Sequence, residues 1–230
     1  MTPSIKITRT GFGPDQELLP TWGDRLGCLW SAGSCWFMSW LFVTAWWWPR
    51  RLEDGTWVKL GVGILILEFI LIHAGAFLNN LMTQKAGGGR TKALLGLTAF
   101  YSLFGMAIAF AFRSWWLFGT FVSVMAGRMW SVIAGQDEIG RAISQRRVAA
   151  SAMLFLLLTF ATVFVSVPEG GIDRPLLREV WPARGHGLWE TKPERALAMG
   201  AVYFLLLGLV ELRPPRRWNP PVAASELKSP

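Results

Sequence analysis

Long apolar segments are the feature that most constrains how this chain of 230 residues folds. A mostly apolar segment of about 20 residues is long enough to cross the hydrocarbon core of a bilayer as a helix. An open strand in lipid would leave backbone groups without hydrogen bonds, so each such segment is predicted to be helical. The sequence therefore predicts an all-α fold, a polytopic integral membrane helical bundle with about six transmembrane helices. The predicted spans are 26–48, 57–82, 93–112, 115–134, 148–167 and 195–212.

The residues outside these spans are predicted to form three further regions. A polar N-terminal segment covers 1–25, an extramembrane connection covers 168–194, and a Pro- and Ser-containing tail at 213–230 is expected to be disordered. The connection is expected to be irregular, with a short helix over Pro175–Trp181 and with Trp181 and Trp189 dipping into the lipid interface.

The residues at the ends of the spans lead to two further predictions. Trp46, Trp47 and Trp48 precede Pro49, a pattern typical of a helix that leaves the membrane at the headgroup level. Only Arg113 and Ser114 separate the third and fourth spans, so these two helices are predicted to form a tight antiparallel hairpin.

The basic residues indicate the orientation of the chain. The formal net charge is +8, yet Lys and Arg lie in the connections between apolar segments and not on one soluble face. This distribution argues against nucleic-acid binding and favours the lipid bilayer as the partner. More of these residues fall on the side of the two termini, which predicts a multi-pass protein of a bacterial-type inner membrane with both termini in the cytoplasm.

Polar residues within the spans define the candidate site. Glu68, His73, Asn79 and Asn80 belong to the second span, and Arg128 belongs to the fourth. A charge at the centre of a membrane helix costs about 2.5–3.5 kcal/mol on insertion scales, so ionisable groups there indicate a functional or structural role. At about 1.5 Å per residue, Arg128 lies about 9 Å, His73 about 13 Å and Glu68 about 21 Å from the predicted cytoplasmic boundary.

Helical geometry does not place the two ionisable residues of the second span on one face. Glu68 and His73 are about 140° apart around the helix, and Glu68 aligns with Asn79 while His73 aligns with Asn80. One hypothesis is a small-solute or proton pathway, in which Glu68 titrates, His73 relays, and Asn79, Asn80 and Arg128 line the cytoplasmic mouth. Another is a non-catalytic subunit or assembly partner whose polar residues serve helix packing.

Two other hypotheses concern bound groups. His73 is a candidate axial ligand for a haem or a chlorophyll-type pigment, with His186 in the long connection too distant for a second axial position. A metal-dependent intramembrane enzyme is disfavoured because no second His or Cys stands at metal-binding spacing. No catalytic motif is found, so the sequence leans against an enzyme without deciding the question; it predicts no metal site and leaves any cofactor unknown.

Small residues recur every four positions in two spans and are candidates for helix packing. Close approach of two helices in a membrane favours small side chains at such positions; the alternative is that small residues are simply common in membrane helices. The first span carries Gly27, Ser31, Cys35 and Ser39, and the fourth carries Gly119, Ser123, Gly127 and Ser131.

Overall fold

The computed structural model describes residues 22–82, 88–133, 138–182 and 185–212, and every regular secondary-structure element in these ranges is a helix. Five of the helices are long and apolar enough to cross a membrane, so the chain is an all-α multi-pass membrane protein. The helices are α1 (Trp22–Trp47), α2 (Thr56–Met82), α3 (Gly88–Ala111), α4 (Trp115–Ile133), α5 (Glu138–Phe164), α6 (Arg174–Val180), α7 (Leu188–Thr191) and α8 (Pro193–Glu211).

The predicted spans overlap six of these helices, and five of the six are long and apolar enough to be candidate membrane spans. The sixth candidate is α4, whose described apolar part is the shorter stretch Trp115–Ala126. Residues 1–21 of the predicted N-terminal segment and the whole of the predicted tail, 213–230, lie outside the described residues.

The helix α2 is the centre of the bundle. It contacts each of the other long helices, α1, α3, α4, α5 and α8. Val58, Val62, Leu65 and Ala74 are fully buried along its length, because neighbours cover it on several sides. The polar residues of the second span are therefore carried by the helix that contacts every other long helix of the bundle.

The first and last long helices, α1 and α8, form the most extensive pair. The Ser39 hydroxyl donates a hydrogen bond of 2.8 Å to the Ala201 carbonyl oxygen, and both residues are buried. Gly200 lies directly against the Phe42 ring, and Gly208 approaches the backbone of Ala32. Small residues on α8 thus let the two backbones approach closely.

The two predicted small-residue stripes have different positions in the structure. A repeat of four residues advances about 40° per step around a helix, so Gly27 lies about 120° from Ser39. Ser39 is accordingly buried against α8, Ser31 and Cys35 are half-buried, and Gly27 faces open space.

The stripe on α4 does not form a contact between described helices of this chain. Gly119 and Ser123 are exposed, and the inward face of α4 is instead Leu117, Phe121 and Met125. The described half of the stripe, Gly119 and Ser123, therefore shows no packing against another described helix, and the rest of that prediction stays untested. The side chains of Gly127 and Ser131 lie outside the described residues.

One end of the bundle, which we call the loop-rich end, contains residues 48–55, 112–114 and the described parts of 165–192. The predicted hairpin is present there, since α3 ends at Ala111, α4 begins at Trp115 and the two helices pack together. The Trp46 indole donates to the Pro168 carbonyl at 2.8 Å, and the Gly171 amide donates to the Trp46 carbonyl at 2.9 Å. The last turn of α1 is therefore satisfied by the long connection.

The long connection is more ordered than the sequence predicts. The expected short helix is α6, and the Asp173 carboxylate caps it by accepting from the Leu176 amide at 2.8 Å. Trp181 is buried against Phe112, with ring centroids 5.6 Å apart, and Trp189 is half-buried with its indole 3.3 Å from the Thr162 hydroxyl. The expectation that Trp181 dips into the lipid interface is wrong, because the connection packs this ring against the bundle.

The α1–α8 contact predicts a specific cost for enlarging Gly200. A Gly200→Ala substitution places a methyl group against the buried Phe42 ring, and overpacking of this kind costs about 1–3 kcal/mol. The matched control is Gly33→Ala on α1, where no atom lies within 4 Å of the new methyl group. Thermal unfolding of the detergent-purified variants should show a clear loss for Gly200→Ala alone. Equal melting temperatures would contradict the tight contact.

Candidate functional site

A hydrogen bond between a carboxylate and a phenol lies deep within the bundle. The Tyr203 hydroxyl on α8 donates to Glu68 Oε1 on α2 at 2.8 Å. Glu68 stands about 18 Å from the start of α2 and about 21 Å from its end, and Tyr203 is about 12 Å from the end of α8. Tyr203 has 0% exposure and Glu68 is half-buried. Two helices that are distant in sequence therefore position this pair near mid-membrane.

Aromatic rings surround the Tyr203 side of the pair. The Phe155 ring meets Tyr203 edge-on with centroids 5.4 Å apart, and Phe204 lies 5.0 Å from it. Phe69, one position after the glutamate, lies 6.0 Å from Phe155. In such apolar surroundings a hydrogen bond is electrostatically stronger than in water, and a polar group without a partner is costly.

Three other polar side chains, one each on α1, α5 and α8, extend from this pair toward the C-terminal end of α8. The Cys35 thiol on α1 lies within electrostatic range of the carboxylates of both Glu68 and Glu211. Glu211 is largely buried, and its Oε2 lies 3.3 Å from Arg147 Nη1 on α5. That oxygen makes no hydrogen bond with the residues that the structure describes, so its contact is an ion pair. Groups from α1, α2, α5 and α8 thus form one polar region.

His73 occupies a separate place on the outer surface of α2. Its ring is exposed, Nδ1 lies 2.9 Å from the Phe69 carbonyl oxygen, and the two rings are 4.2 Å apart. The side chain lines an otherwise apolar groove of about 310 Å³ between α2 and α5. Because a carbonyl oxygen only accepts, the contact assigns a proton to Nδ1 and leaves the Nε2 lone pair of the neutral ring as a base.

The structure therefore separates residues that the pathway hypothesis joined. Glu68 turns toward α8 whereas His73 faces the groove beside α5, as expected for residues about 140° apart on one helix. A relay through His73 would therefore need further groups between it and Glu68, and that role stays a prediction. Asn80 is exposed near the end of α2, and the side chains of Asn79 and Arg128 lie outside the described residues.

Tyr203 is the functional candidate that sequence reasoning missed. The chain has only two tyrosines, and this one stands within an apolar span, away from its ends. A buried tyrosine hydroxyl usually finds a hydrogen-bond partner, so its position was the available signal. Among the described residues no group of three His, Cys, Asp or Glu side chains is arranged to hold a metal ion.

The Glu68–Tyr203 bond predicts an energetic coupling between α2 and α8. In a double-mutant cycle with Glu68→Leu, which removes the acceptor oxygens, and Tyr203→Phe, we expect a coupling of about 1 kcal/mol, within the range measured for interhelical hydrogen bonds in membranes. The matched cycle uses Tyr101→Phe on α3, since the other tyrosine shows no hydrogen bond to Glu68. The free energies of unfolding are measured in detergent micelles. Equal coupling energies from the two cycles would refute the hydrogen bond.

Comparison with known proteins adds no relative to this picture. No protein-family model matches the chain, and no curated protein or solved structure matches it. The five apolar helices make the chain a multi-pass membrane protein. Its most distinctive chemical feature is an acid–phenol pair buried between the central helix and the last one.

Proposed function

We propose that the protein provides a proton or small-solute pathway through a bacterial-type inner membrane, with Glu68 as its central binding site and both termini in the cytoplasm. The observation that carries the proposal is the Tyr203–Glu68 hydrogen bond at mid-membrane. A carboxyl group at this depth gains a proton readily because charge is costly in hydrocarbon. A phenol that donates a hydrogen bond stabilises the ionised carboxylate. The Glu68 side chain can therefore exist in either protonation state at this position.

The polar region suggests the side from which protons reach Glu68. Arg147 is 41% exposed by side chain and pairs with Glu211 in the last turn of α8. Glu211 is about 12 Å along that helix from Tyr203, which is longer than a hydrogen bond. In this proposal water molecules connect the two carboxylates, and the Cys35 thiol lies in the same region. In the proposed orientation this route opens to the cytoplasm.

The competing hypothesis is a non-catalytic subunit, or one copy in a homo-oligomer, in which the same groups serve packing. The hydrogen bonds of α8 favour this hypothesis, because one joins α8 to α2 and another joins α8 to α1. The two hypotheses differ in what the loss of the Glu68 charge does. A pathway loses flux while the fold survives, whereas a packing element loses stability or a membrane-protein partner.

Proton flux into proteoliposomes tests the pathway. With a potassium diffusion potential and an internal pH dye, Glu68→Gln should lower the rate at least about tenfold, because the amide cannot release a proton. Glu179→Gln is the matched control, since that carboxylate is 58% exposed in a surface pair with Arg50. A wild-type rate no faster than empty liposomes, or a Glu68→Gln variant that melts early without a change of flux, would favour packing.

A second candidate function is binding of a haem or chlorophyll-type pigment at His73. The specific observation is the exposed imidazole, whose Nδ1 is held by the Phe69 carbonyl while Nε2 stays available as a ligand. A hydrogen bond to the other ring nitrogen is the usual way in which a metal-ligating histidine is oriented. Ala76 and Ala152 on the groove walls leave room for a flat ring to approach.

An absorbance scan separates this candidate from the others. Purified protein incubated with haem or with a chlorophyll should acquire a Soret or near-infrared band that His73→Ala abolishes, because the axial nitrogen is removed. His186→Ala is the control, since that histidine lies exposed in the long connection. A colourless protein, or a band that persists in His73→Ala, would exclude ligation by His73.

A further inference from the structure

A polar cavity of about 250 Å³ lies at the loop-rich end, beneath the long connection and beside the start of α8. Arg174, Lys192 and Arg195 line it together with Glu169 and Glu194. Glu194 is also the least exposed of these charged groups, at 9%. The lining therefore carries three basic side chains against two acidic ones, and this net positive charge favours an anion.

An apolar groove continues from this cavity along the outer surface of the bundle. It runs between α5 and α8, with Leu158 and Val202 among its lining residues, and it has a volume of about 120 Å³. Val167 and Arg195 line both the cavity and the groove, so the two spaces are adjacent. The groove lies on helices that cross the membrane, and the cavity lies at their loop-rich ends.

Arg195 marks the junction between the two spaces, and its position is fixed. Its Nη1 donates to the carbonyl oxygens of Thr162 at 2.8 Å and of Val163 at 3.2 Å, in the last turn of α5. These carbonyls are at the negative end of a helix, where a cation is stabilised. The guanidinium is thereby held at the boundary between polar cavity and apolar groove.

We propose that this combined space binds one anionic phospholipid, with its phosphodiester in the cavity and an acyl chain in the groove. A phosphate group is recognised by Arg and Lys donors, and an acyl chain requires an apolar surface that begins where the headgroup ends. A free phosphate would use only the cavity, and a purely apolar molecule would use only the groove. An anionic phospholipid matches both spaces at the depth where its headgroup lies. The site is on the outer surface between α5 and α8, and it does not depend on the proposed pathway.

Native mass spectrometry of the full chain in detergent, titrated with phosphatidylglycerol, tests the headgroup half of the site. We expect one retained lipid and about fivefold weaker binding for each of Arg174→Gln and Lys192→Gln, the loss expected per basic residue near an anionic headgroup. The matched control is Arg178→Gln, which removes an exposed arginine one turn along α6 that does not line the cavity. Equal binding by all three variants would overturn the proposal.

Two further arms distinguish the source of the anion and test the groove. Ala161→Phe places a ring in the groove from α5 and should displace phosphatidylglycerol while melting like the wild type. Phosphatidylethanolamine retained as tightly as phosphatidylglycerol would overturn the assignment of an anionic lipid. Glycerol phosphate that competes at concentrations similar to the lipid would show a site for a small soluble anion and would also overturn the proposal.

Discussion

A polar group inside a bilayer has no water to bond with, so another part of the protein must supply its partner. In this bundle that requirement falls on α8, the last long helix of the chain. Its Tyr203 bonds Glu68 of α2, and its Ala201 carbonyl accepts from Ser39 of α1. Because these contacts join the end of the chain to its beginning and its centre, the positions of three helices depend on them.

Small residues determine how closely those helices approach. Lipid tails are as apolar as leucine, so helices in a membrane associate through close packing and hydrogen bonds more than through hydrophobic burial. Because Gly200 has no side chain, the Phe42 ring can pack directly against it. The same ring packs against Phe204, with ring centroids 5.5 Å apart. Phe204 in turn lies against Tyr203. The close α1–α8 contact and the placement of the phenol are therefore parts of one packing arrangement.

The sequence predicted the helices well and the contacts between them less well. The spans, the α3–α4 hairpin and the short α6 follow from local apolar length and turn chemistry, and these agree with the structure within a few residues except at the start of α5. Glu68 was recognisable because any acid at that depth requires an explanation. Its bond to Tyr203 was not, because it spans 135 positions and depends on the register of two helices. The small-residue stripe on α4 shows the same limit, since spacing alone does not say which face meets a neighbour.

The outer and inner faces of α2 are linked by a chain of rings. His73 lies 4.2 Å from Phe69, Phe69 lies 6.0 Å from Phe155, and Phe155 lies 5.4 Å from Tyr203. Phe69 and Phe155 also line the groove that His73 faces, so a molecule bound there would touch rings that pack directly or indirectly against the Glu68 partner. Contiguity alone does not make two sites cooperate, because coupling requires an element with two arrangements that both sites bias. Within this chain of rings, Tyr203 is the residue that contacts both Phe155 and Glu68, so any such coupling would have to act through its position.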